Sequence, residues 1–292
     1  MAWRERPNFI ELDCGEDSFF VTNTQKVIGI ADGVGGWRKK GVDSSLFSNA
    51  LMKNAKLFAE THRKELDPEV IMDAAYRKTI YDKEVKAGSS TACIATLRQE
   101  DNGKHYLDVA NIGDSGLLLI RDRKPIFRMH EKIHRFNAPF QLAVLPKEFQ
   151  GRSLSDPVSA CVRESVSLQK GDVVVFGTDG LFDNRFNAEL ASDAGWIGQT
   201  QNTALSSIPF VGFWFSNAFK GQQVEYTNPH RVVERLVLDT HKASLKVDGN
   251  SPWAEMLRRH GVSNAQGGKK DDVTVVLCRV MPRGEIVEDS VQ

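Results

Sequence analysis

The chain has 292 residues, with 38 Lys and Arg against 38 Asp and Glu, so its formal net charge is zero with histidine neutral. Hydrophobic residues make up 41% and charged residues 26%, which is an ordinary globular composition. These values exclude a collagen-like or disordered chain, and the lack of a basic excess argues against nucleic acid as a partner. No apolar run approaches the roughly 18 residues of a membrane helix.

The first predicted elements are a strand and two helices. Residues 26–31 form an apolar run that ends at the turn dipeptide Asp32-Gly33, which predicts a buried strand. Asp43 can cap a helix whose apolar residues recur at helical spacing. Asp67-Pro68 predicts the start of a second helix, because proline is favoured in the first turn.

The rest of the chain is rich in predicted strands. Asp101-Asn102-Gly103 predicts a hairpin, and Asp122-Arg123 lies between another pair of strands. The predicted strands are residues 90–97, 105–110, 117–120, 125–129, 162–168, 173–176 and 273–280, and a helix is predicted at 230–241. Strands in runs with helices grouped between them favour an α+β fold of antiparallel sheets flanked by helices, and no linker divides the chain.

The cysteines at positions 14, 93, 161 and 278 are widely spread and contain no C-x-x-C pair. A zinc site needs clustered ligands and a disulfide framework needs a high density of cysteine, so we expect neither. Most of these cysteines lie in apolar runs, which predicts buried, reduced thiols.

Acidic residues lie where predicted strands begin or end. Asp32, Asp114 and Asp179 follow strands, whereas Glu16-Asp17 and Asp271-Asp272 precede them. Carboxylates that converge at one edge would repel each other unless cations neutralise them, and ligands made only of oxygen select Mg²⁺ or Mn²⁺. Two such ions form the clamp used in phosphate-ester hydrolysis. Each Asp-Gly alone is also typical of a simple turn, so spacing alone leaves both interpretations open.

Other phosphatase and phosphate-binding motifs are absent from the sequence. A cysteine phosphatase needs H-C-x₅-R, but Arg98 stands one position too early after Cys93 and no histidine precedes that cysteine. No G-x-x-x-x-G-K-[ST] loop and no G-x-S-x-G elbow occurs. The metal-clamp hypothesis therefore has no rival among these motifs.

The order of the motifs resembles the metal-dependent (PPM, type 2C) protein serine/threonine phosphatase family over about residues 16–280. The motifs that carry this resemblance are Glu16-Asp17, Ala31-Asp32-Gly33-Val34-Gly35-Gly36-Trp37, Gly88-Ser89-Ser90-Thr91-Ala92, Gly113-Asp114-Ser115, Thr178-Asp179-Gly180-Leu181-Phe182-Asp183 and Lys270-Asp271-Asp272-Val273-Thr274. The stretch 136–142 and the motifs around Asp32 and Asp179 look most like the mitochondrial branch linked to coenzyme Q metabolism.

The resemblance implies a four-layer αββα sandwich, with two central antiparallel β-sheets flanked by helices and the site at one end. It implies a phosphatase domain at 16–281 that binds two Mg²⁺ or Mn²⁺ ions and, more weakly, a third. Asp32 would bridge the first two ions with help from the Gly33 carbonyl, and Asp179 and Asp271 would hold one of them. These three aspartates would be the catalytic set. Glu16 and Asp17 would bind through water or steady the groups around the ions, and Asp114 would face the third ion.

The implied activity is hydrolysis of phosphoserine and phosphothreonine in proteins by direct attack of a metal-bridging water, without a covalent phosphoenzyme. The implied substrates are phosphorylated mitochondrial proteins, and we expect a monomer in the matrix. The first residues do not form a signal peptide or a full transit peptide, so this location depends on the resemblance. The alternative is an inactive scaffold that keeps the phosphatase fold.

Several positions depart from the family pattern. Leu12 stands where many members carry an arginine that grips phosphate, and Val34 stands in place of a histidine proposed as general acid. Gly116 replaces an arginine and Asp272 replaces an asparagine. Phosphate binding and protonation of the leaving group are therefore unassigned. The candidates are His130, His134, Arg135 and water on a third ion.

Three segments stand outside the motifs, and a basic pair lies at the start of the last motif. Residues 1–15 look short for the first sheet edge and do not start like a strand, and 282–292 form a polar, frayed tail. The atypical insertion 195–227 contains an aromatic run, 208–215, which is either a local core or an exposed flap for a substrate protein or peripheral contact with a membrane. Lys269-Lys270 could offset the acidic cluster, attract a phosphorylated loop or form a solvated pair.

Overall fold

The computed structural model describes residues 3–6, 9–12, 15–62, 66–195 and 229–281. The strands are β1 (Trp3–Arg6), β2 (Phe9–Leu12), β3 (Ser18–Val21), β4 (Val27–Ala31), β5 (Gly88–Ser90), β6 (Ala92–Gln99), β7 (His105–Ile112), β8 (Gly116–Arg121), β9 (Lys124–Arg128), β10 (Ile133–Arg135), β11 (Ala138–Pro139), β12 (Leu142–Val144), β13 (Val162–Leu168), β14 (Val173–Gly177) and β15 (Val275–Arg279). The helices are α1 (Ser45–Thr61), α2 (Pro68–Asp82), α3 (Asp179–Phe182), α4 (Asn187–Ala194), α5 (Pro229–Ser244) and α6 (Pro252–Arg259), and 3₁₀ helices lie at Gly35–Lys40, Lys147–Phe149 and Val158–Ala160.

Two antiparallel sheets form the centre of the molecule. One has the strand order β13-β7-β6-β4-β3 and the other has the order β15-β14-β8-β9. Helices α1 and α2 pack on the first sheet, and α4 and α5 pack on the second. The predicted αββα sandwich is confirmed.

Strand β8 shows why the layers stack in this way. All its residues from Gly116 to Ile120 are buried. Leu117 and Leu119 belong to the apolar cluster between the two sheets. Leu118 and Ile120 point to the opposite face, in the cluster under α4 and α5. Because side chains alternate along a strand, a strand covered on both faces must be apolar throughout.

The start of α2 follows the predicted capping chemistry. The Asp67 carboxylate accepts the N–H groups of Glu69 and Val70 at 2.8 and 3.2 Å, and Pro68 is the first residue of α2. The N-cap of α1 is Ser44 and not the predicted Asp43; Asp43 lies one residue earlier, where its Oδ1 accepts the N–H of Ser45 at 3.0 Å. Helix α6 was not predicted; it begins at Pro252 after Ser251, whose hydroxyl accepts the N–H of Ala254 at 3.0 Å.

The two predicted hairpins also form. Strands β6 and β7 meet at Gly103, which has φ of +81°, and β8 and β9 meet at Asp122 and Arg123, with φ of +49° and +62°. Positive φ at both central residues gives a turn whose twist matches that of the flanking strands.

The expectation of a start without strands is wrong. Strands β1 and β2 pair antiparallel, with Trp3 opposite Leu12 and Arg6 opposite Phe9. They form a separate two-stranded sheet. The aromatic run 208–215 and the tail 282–292 lie outside the described residues. Among the helices of the described ranges, none combines the length and apolarity needed to cross a bilayer.

The cysteines that the structure describes are free thiols. Cys93 is fully buried between the sheets, as predicted, and burial raises its pKa to about 12. Cys161 and Cys278 are only half-buried, and Cys14 lies outside the described residues. We therefore expect slow alkylation of Cys93 in the folded protein.

Candidate active site

The acidic motifs meet at one end of the sandwich. Backbone hydrogen bonds join the segments that carry them: the N–H of Gly33 donates to the Glu16 carbonyl at 3.1 Å, and the N–H of Thr91 donates to the Asp32 carbonyl at 2.9 Å. The N–H of Thr178 donates to the Thr274 carbonyl at 3.4 Å. This bond joins the segment that carries Asp179 to the segment that carries Asp271.

Two glycines allow the strand ends to come this close. A Cβ atom on Gly33 would lie 2.5 Å from the Glu16 carbonyl oxygen and 2.8 Å from that of Ser44. A Cβ atom on Gly180 would lie 1.8 Å from the Asp272 carbonyl oxygen. Any side chain at these positions would push the segments apart. The predicted Asp-Gly turns do not form, because Gly33 makes a β-bridge to Ser90 and Asp179-Gly180 begin α3.

Asp17 and Asp32 form the inner part of the cluster. Asp17 is 2% exposed, and its Oδ2 accepts the hydroxyl of Thr178 at 2.9 Å. Burial raises the pKa of Asp17 well above its usual value. Burial also raises the pKa of Asp32, and the nearby charges of Asp17 and Asp179 raise it further. The two carboxylates therefore share one electrostatic environment, in which negative charge is costly without a cation.

A small cleft of about 20 Å³ is lined in part by Asp114, Asp179 and Asp183. The Oδ1 atoms of Asp114 and Asp179 are buried and have no hydrogen-bond partner in the described residues. Burial raises the pKa of Asp114, with a further contribution from Asp179. Burial and the charge of Asp179 raise the pKa of Asp183 to about 7.

Asp183 is a site residue that the sequence analysis missed. Its spacing of four from Asp179, at the end of α3, was the available signal, because residues four apart lie on the same side of a helix. A larger groove of about 640 Å³ runs along α1 and α2 between residues such as Lys53 and Tyr81, and none of the acidic residues named above lines it.

Lys269 reaches into the acidic cluster. Its Nζ contacts the Asp179 carboxylate and lies 3.0 Å from Asp183 Oδ2 and 3.1 Å from Asp271 Oδ2. Burial and the charge of Asp179 raise the pKa of Asp271, whereas Lys269 opposes the rise. Of the three interpretations of Lys269-Lys270, these contacts support the one in which the pair offsets the acidic cluster. Lys269 makes the contacts, whereas Lys270 is exposed.

Glu16 lies at the rim of the cluster. Its carboxylate accepts the Ser44 hydroxyl and lies 2.6 Å from Nε of Arg38, and its N–H donates to Asp272 Oδ2 at 2.9 Å. A Cβ atom on Gly35 would lie 2.8 Å from Glu16 Oε2, so this carboxylate packs on the loop after Asp32. Asp272, which departs from the family pattern, therefore anchors the segment that carries Glu16.

Arg128 lies beside Gly116, where the sequence departs from the family pattern. A Cβ atom on Gly116 would lie 2.6 Å from Nη1 of Arg128, so the guanidinium from β9 fills the space beside this glycine. The guanidinium lies 3.5 Å from the centroid of the Phe182 ring and 2.9 Å from Glu131 Oε1. Burial lowers the pKa of Arg128. A guanidinium thus lies beside position 116, although it belongs to a neighbouring strand.

The histidines considered for proton transfer have carboxylate partners of their own. Nδ1 of His130 lies 2.5 Å from Glu164, and Nε2 of His134 lies 3.0 Å from Asp156. The ring of His134 also stacks on Phe140, with ring centroids 3.9 Å apart. For Arg135, the described residues show no contact with the acidic cluster. The structure therefore favours none of the three as a general acid.

Comparison with known proteins identifies the family. Residues 23–208 match the family described as Stage II sporulation protein E (SpoIIE). The chain is 35% identical to the Protein phosphatase PTC7 homolog of Xenopus laevis, over 91% of this chain and 81% of the relative. It is 34% identical to the Homo sapiens PTC7 homolog, over 91% of this chain and 79% of the relative.

Solved structures agree with this result. The photosystem II phosphatase PBCP superimposes with a TM-score of 0.69 and 28% identity, covering 91% of this chain and 92% of that one. The Mycobacterium tuberculosis phosphatase PstP/Ppp shares the fold, with a TM-score of 0.50, 18% identity and coverage of 96% and 95%. The chain therefore belongs to the metal-dependent (PPM, type 2C) protein phosphatase family, as its motifs predicted. Within that family it is similar to the PTC7 homologs and is a phosphatase hydrolase.

The acidic cluster offers the kind of ligand that a divalent cation prefers, but its side chains are not arranged in coordination geometry. The side chains of the cluster offer carboxylate oxygens, and the unpartnered oxygens of Asp114 and Asp179 are the kind that Mg²⁺ and Mn²⁺ prefer. Within the described part of the chain, no group of three His, Cys, Asp or Glu side chains is already arranged to hold an ion. The ammonium of Lys269 lies among three of these carboxylates.

Proposed function

We propose that this phosphatase removes phosphate from phosphoserine and phosphothreonine in proteins with the help of two Mg²⁺ or Mn²⁺ ions and a weaker third. The observation that carries this proposal is the convergence of Asp17, Asp32, Asp114, Asp179 and Asp271 at one end of the sandwich. The pKa values of Asp17, Asp32, Asp114 and Asp271 are raised by burial and by the other carboxylates. Such an excess of carboxylates is stabilised when cations bind.

The proposed ligands follow from position. Asp32, with the Gly33 carbonyl, would lie between two ions, and Asp179 and Asp271 would hold one of them. Asp17 and, through water, Glu16 would support the other. Asp114 would hold the third ion, and we add Asp183 to this position because both line the same cleft. When bound, the ions would neutralise the phosphate charge and lower the pKa of the attacking water.

We propose Arg38 as the group that binds the substrate phosphate in place of the arginine missing at Leu12. Arg38 lies on the 3₁₀ helix Gly35–Lys40, directly after the loop that begins at Asp32. Its Nε faces Glu16 at the rim of the cluster, and its side chain is 66% exposed. A guanidinium so placed can offer N–H donors to phosphate oxygens.

We also propose that the protein acts as a monomer on phosphoproteins of the mitochondrial matrix. The support is the similarity to PTC7 homologs and the branch-type stretch 136–142. Peripheral membrane contact through 208–215 stays a prediction. Deletion of this segment should lower vesicle binding or activity on protein substrates, and loss of stability without either change would contradict it.

The test of the proposed function is phosphate release from a phosphothreonine peptide. We expect activity in Mn²⁺, loss in EDTA, and at least a hundredfold loss in Asp179→Asn, because this carboxylate is a proposed ligand. Asp101→Asn, on the exposed β6–β7 turn, is the matched control and should keep full activity. Activity that survives chelation would contradict the metal-dependent proposal, and a folded, inactive wild type would favour the scaffold alternative.

The same assay tests Arg38. Arg38→Ala should raise KM for the phosphopeptide about tenfold or more with a smaller change in kcat, because a phosphate contact is lost, and Arg38→Lys should recover part of it. Lys39→Ala, on the same 3₁₀ helix and also exposed, is the control. An unchanged KM in Arg38→Ala would exclude this role.

A further inference from the structure

Lys269 is a cation built into the acidic cluster of this chain. Its ammonium contacts Asp179, Asp183 and Asp271, and its side chain is only 14% exposed. The ammonium also lies 5.3 Å from the centroid of the Trp253 ring, which helps to cover it. One positive charge thus lies among three negative ones in a largely buried place.

The backbone of Lys269 is held in place by a buried asparagine. Asn184 donates from Nδ2 to the Lys269 carbonyl at 2.8 Å, and its Oδ1 accepts the Lys269 N–H at 2.8 Å. The same Nδ2 lies 2.9 Å from the Gly180 carbonyl, so Asn184 joins the lysine loop to the segment of Asp179. A Cβ atom on Gly268 would lie 2.7 Å from Asn184 Oδ1, so this approach requires glycine. The loop therefore aims Lys269 at the cluster.

Two partners of Lys269 are also proposed metal ligands. Asp179 and Asp271 would hold a divalent ion, but their Oδ2 atoms face the ammonium. A lysine ammonium and a divalent ion cannot occupy the same carboxylate oxygens, because the two positive charges would repel each other at contact distance. Binding of an ion through these Oδ2 atoms therefore requires the ammonium to leave them. The third partner, Asp183, offers it a remaining negative charge.

We propose that Lys269 is a tethered counter-ion that stabilises the metal-free cluster and competes with divalent ions for Asp179 and Asp271. The proposal rests on the proposed function only in taking these aspartates as metal ligands. According to this proposal, the side chain at position 269 controls how tightly the cluster binds metal ions. A neutral residue there should tighten metal binding and weaken the metal-free fold. Lys270 should have neither effect, because it is exposed.

The test measures Mn²⁺ binding by titration calorimetry and thermal unfolding in EDTA, so neither readout depends on catalysis. Lys269→Gln should bind Mn²⁺ at least tenfold more tightly than wild type, with a lower Tm in EDTA and a larger rise in Tm when Mn²⁺ is added. Lys269→Arg keeps the charge and should stay within threefold of the wild-type affinity. Lys270→Gln is the matched control and should match wild type in both measurements.

Each other outcome overturns the proposal. A folded Lys269→Gln that binds Mn²⁺ equally or more weakly excludes competition, and an unchanged Tm in EDTA excludes the counter-ion role. If Lys269→Gln does not fold in EDTA, it should fold once Mn²⁺ is added, and failure to do so excludes the proposal. Equal Mn²⁺ affinity in wild type and Lys269→Gln contradicts the counter-ion proposal but not the proposed function. A wild type that binds no Mn²⁺ contradicts the proposed function as well.

Discussion

At the scale of single residues, the site is defined by carboxylates whose charge the fold disfavours. Asp183 shows this most directly, because burial and Asp179 raise its pKa from 3.8 to about 7 while Lys269 opposes the rise. Between these two pH values the folded protein holds a proton that the unfolded chain has lost. The contribution of Asp183 to stability is therefore complete below about pH 4 and is lost as the pH rises through about 7.

This sign gives a prediction for the metal-free protein. In EDTA, the Tm of wild type should fall between pH 5 and pH 8, and Asp183→Asn should reduce the slope, because the amide does not titrate. The slope should not vanish, since the pKa values of Asp17, Asp32 and Asp114 are raised as well. Asp101→Asn is the control. An identical slope in Asp183→Asn would contradict the prediction, which unfolding scans at several pH values can decide.

At the scale of elements, a chain of buried hydrogen bonds holds the 3₁₀ helix that follows Asp32. Trp37 donates from its indole Nε1 to Ser89 Oγ at 2.7 Å, and Ser89 donates to Gln141 Oε1 at 2.6 Å. The Gln141 N–H in turn donates to Asp156 Oδ2 at 2.9 Å. This chain joins the 3₁₀ helix to β5 and to the segment before β12. The helix that carries Arg38 is thereby fixed to the sandwich.

Removal of the middle hydroxyl tests this link. Ser89→Ala leaves the buried Trp37 N–H and Gln141 Oε1 without these partners, so it should lower the free energy of unfolding by about 1–3 kcal/mol. Ser263→Ala, at an exposed position, should change it by less than about 0.5 kcal/mol. Urea unfolding followed by fluorescence measures both. A Ser89→Ala variant as stable as wild type would show that the chain of bonds adds nothing.

At the scale of the whole molecule, stacking of the sheets brings the acidic segments together. Asp32 follows a strand of the five-stranded sheet, whereas Asp179 and Asp271 flank strands of the four-stranded one. Their approach depends on the apolar cluster between the sheets, which includes the fully buried Leu119 and Phe176. The net charge of zero hides this segregation of negative charge at one end of the molecule.

The core between the sheets can be tested directly. Leu119→Ala should cost about 2–5 kcal/mol of unfolding free energy, because it removes apolar contacts and leaves a cavity. Leu46→Ala is the control: Leu46 is 54% exposed on α1, and this change should cost less than about 0.5 kcal/mol. Denaturant unfolding measures both changes. Similar costs for the two variants would contradict the assignment of Leu119 to the core.

Much of this architecture could be predicted from local patterns. The Asp67-Pro68 helix start and the hairpin at Gly103 depend on neighbours in sequence, and both took the predicted form. The α+β class followed from the grouping of strands and helices, and the four-layer αββα arrangement followed from the resemblance to the PPM family. The pairing of β1 with β2 and the helix α6 were not predicted, because short elements carry little periodicity.

What the sequence by itself determined is which acidic residues stand at the ends of strands. Only the tertiary structure decided which charges balance them. Lys269 and Asp179 are 90 positions apart, and nothing in their spacing reports their contact. Arg128 likewise fills the space beside Gly116 from a neighbouring strand. Electrostatic energy depends on distance in space and on burial, and both are set only when the two sheets pack.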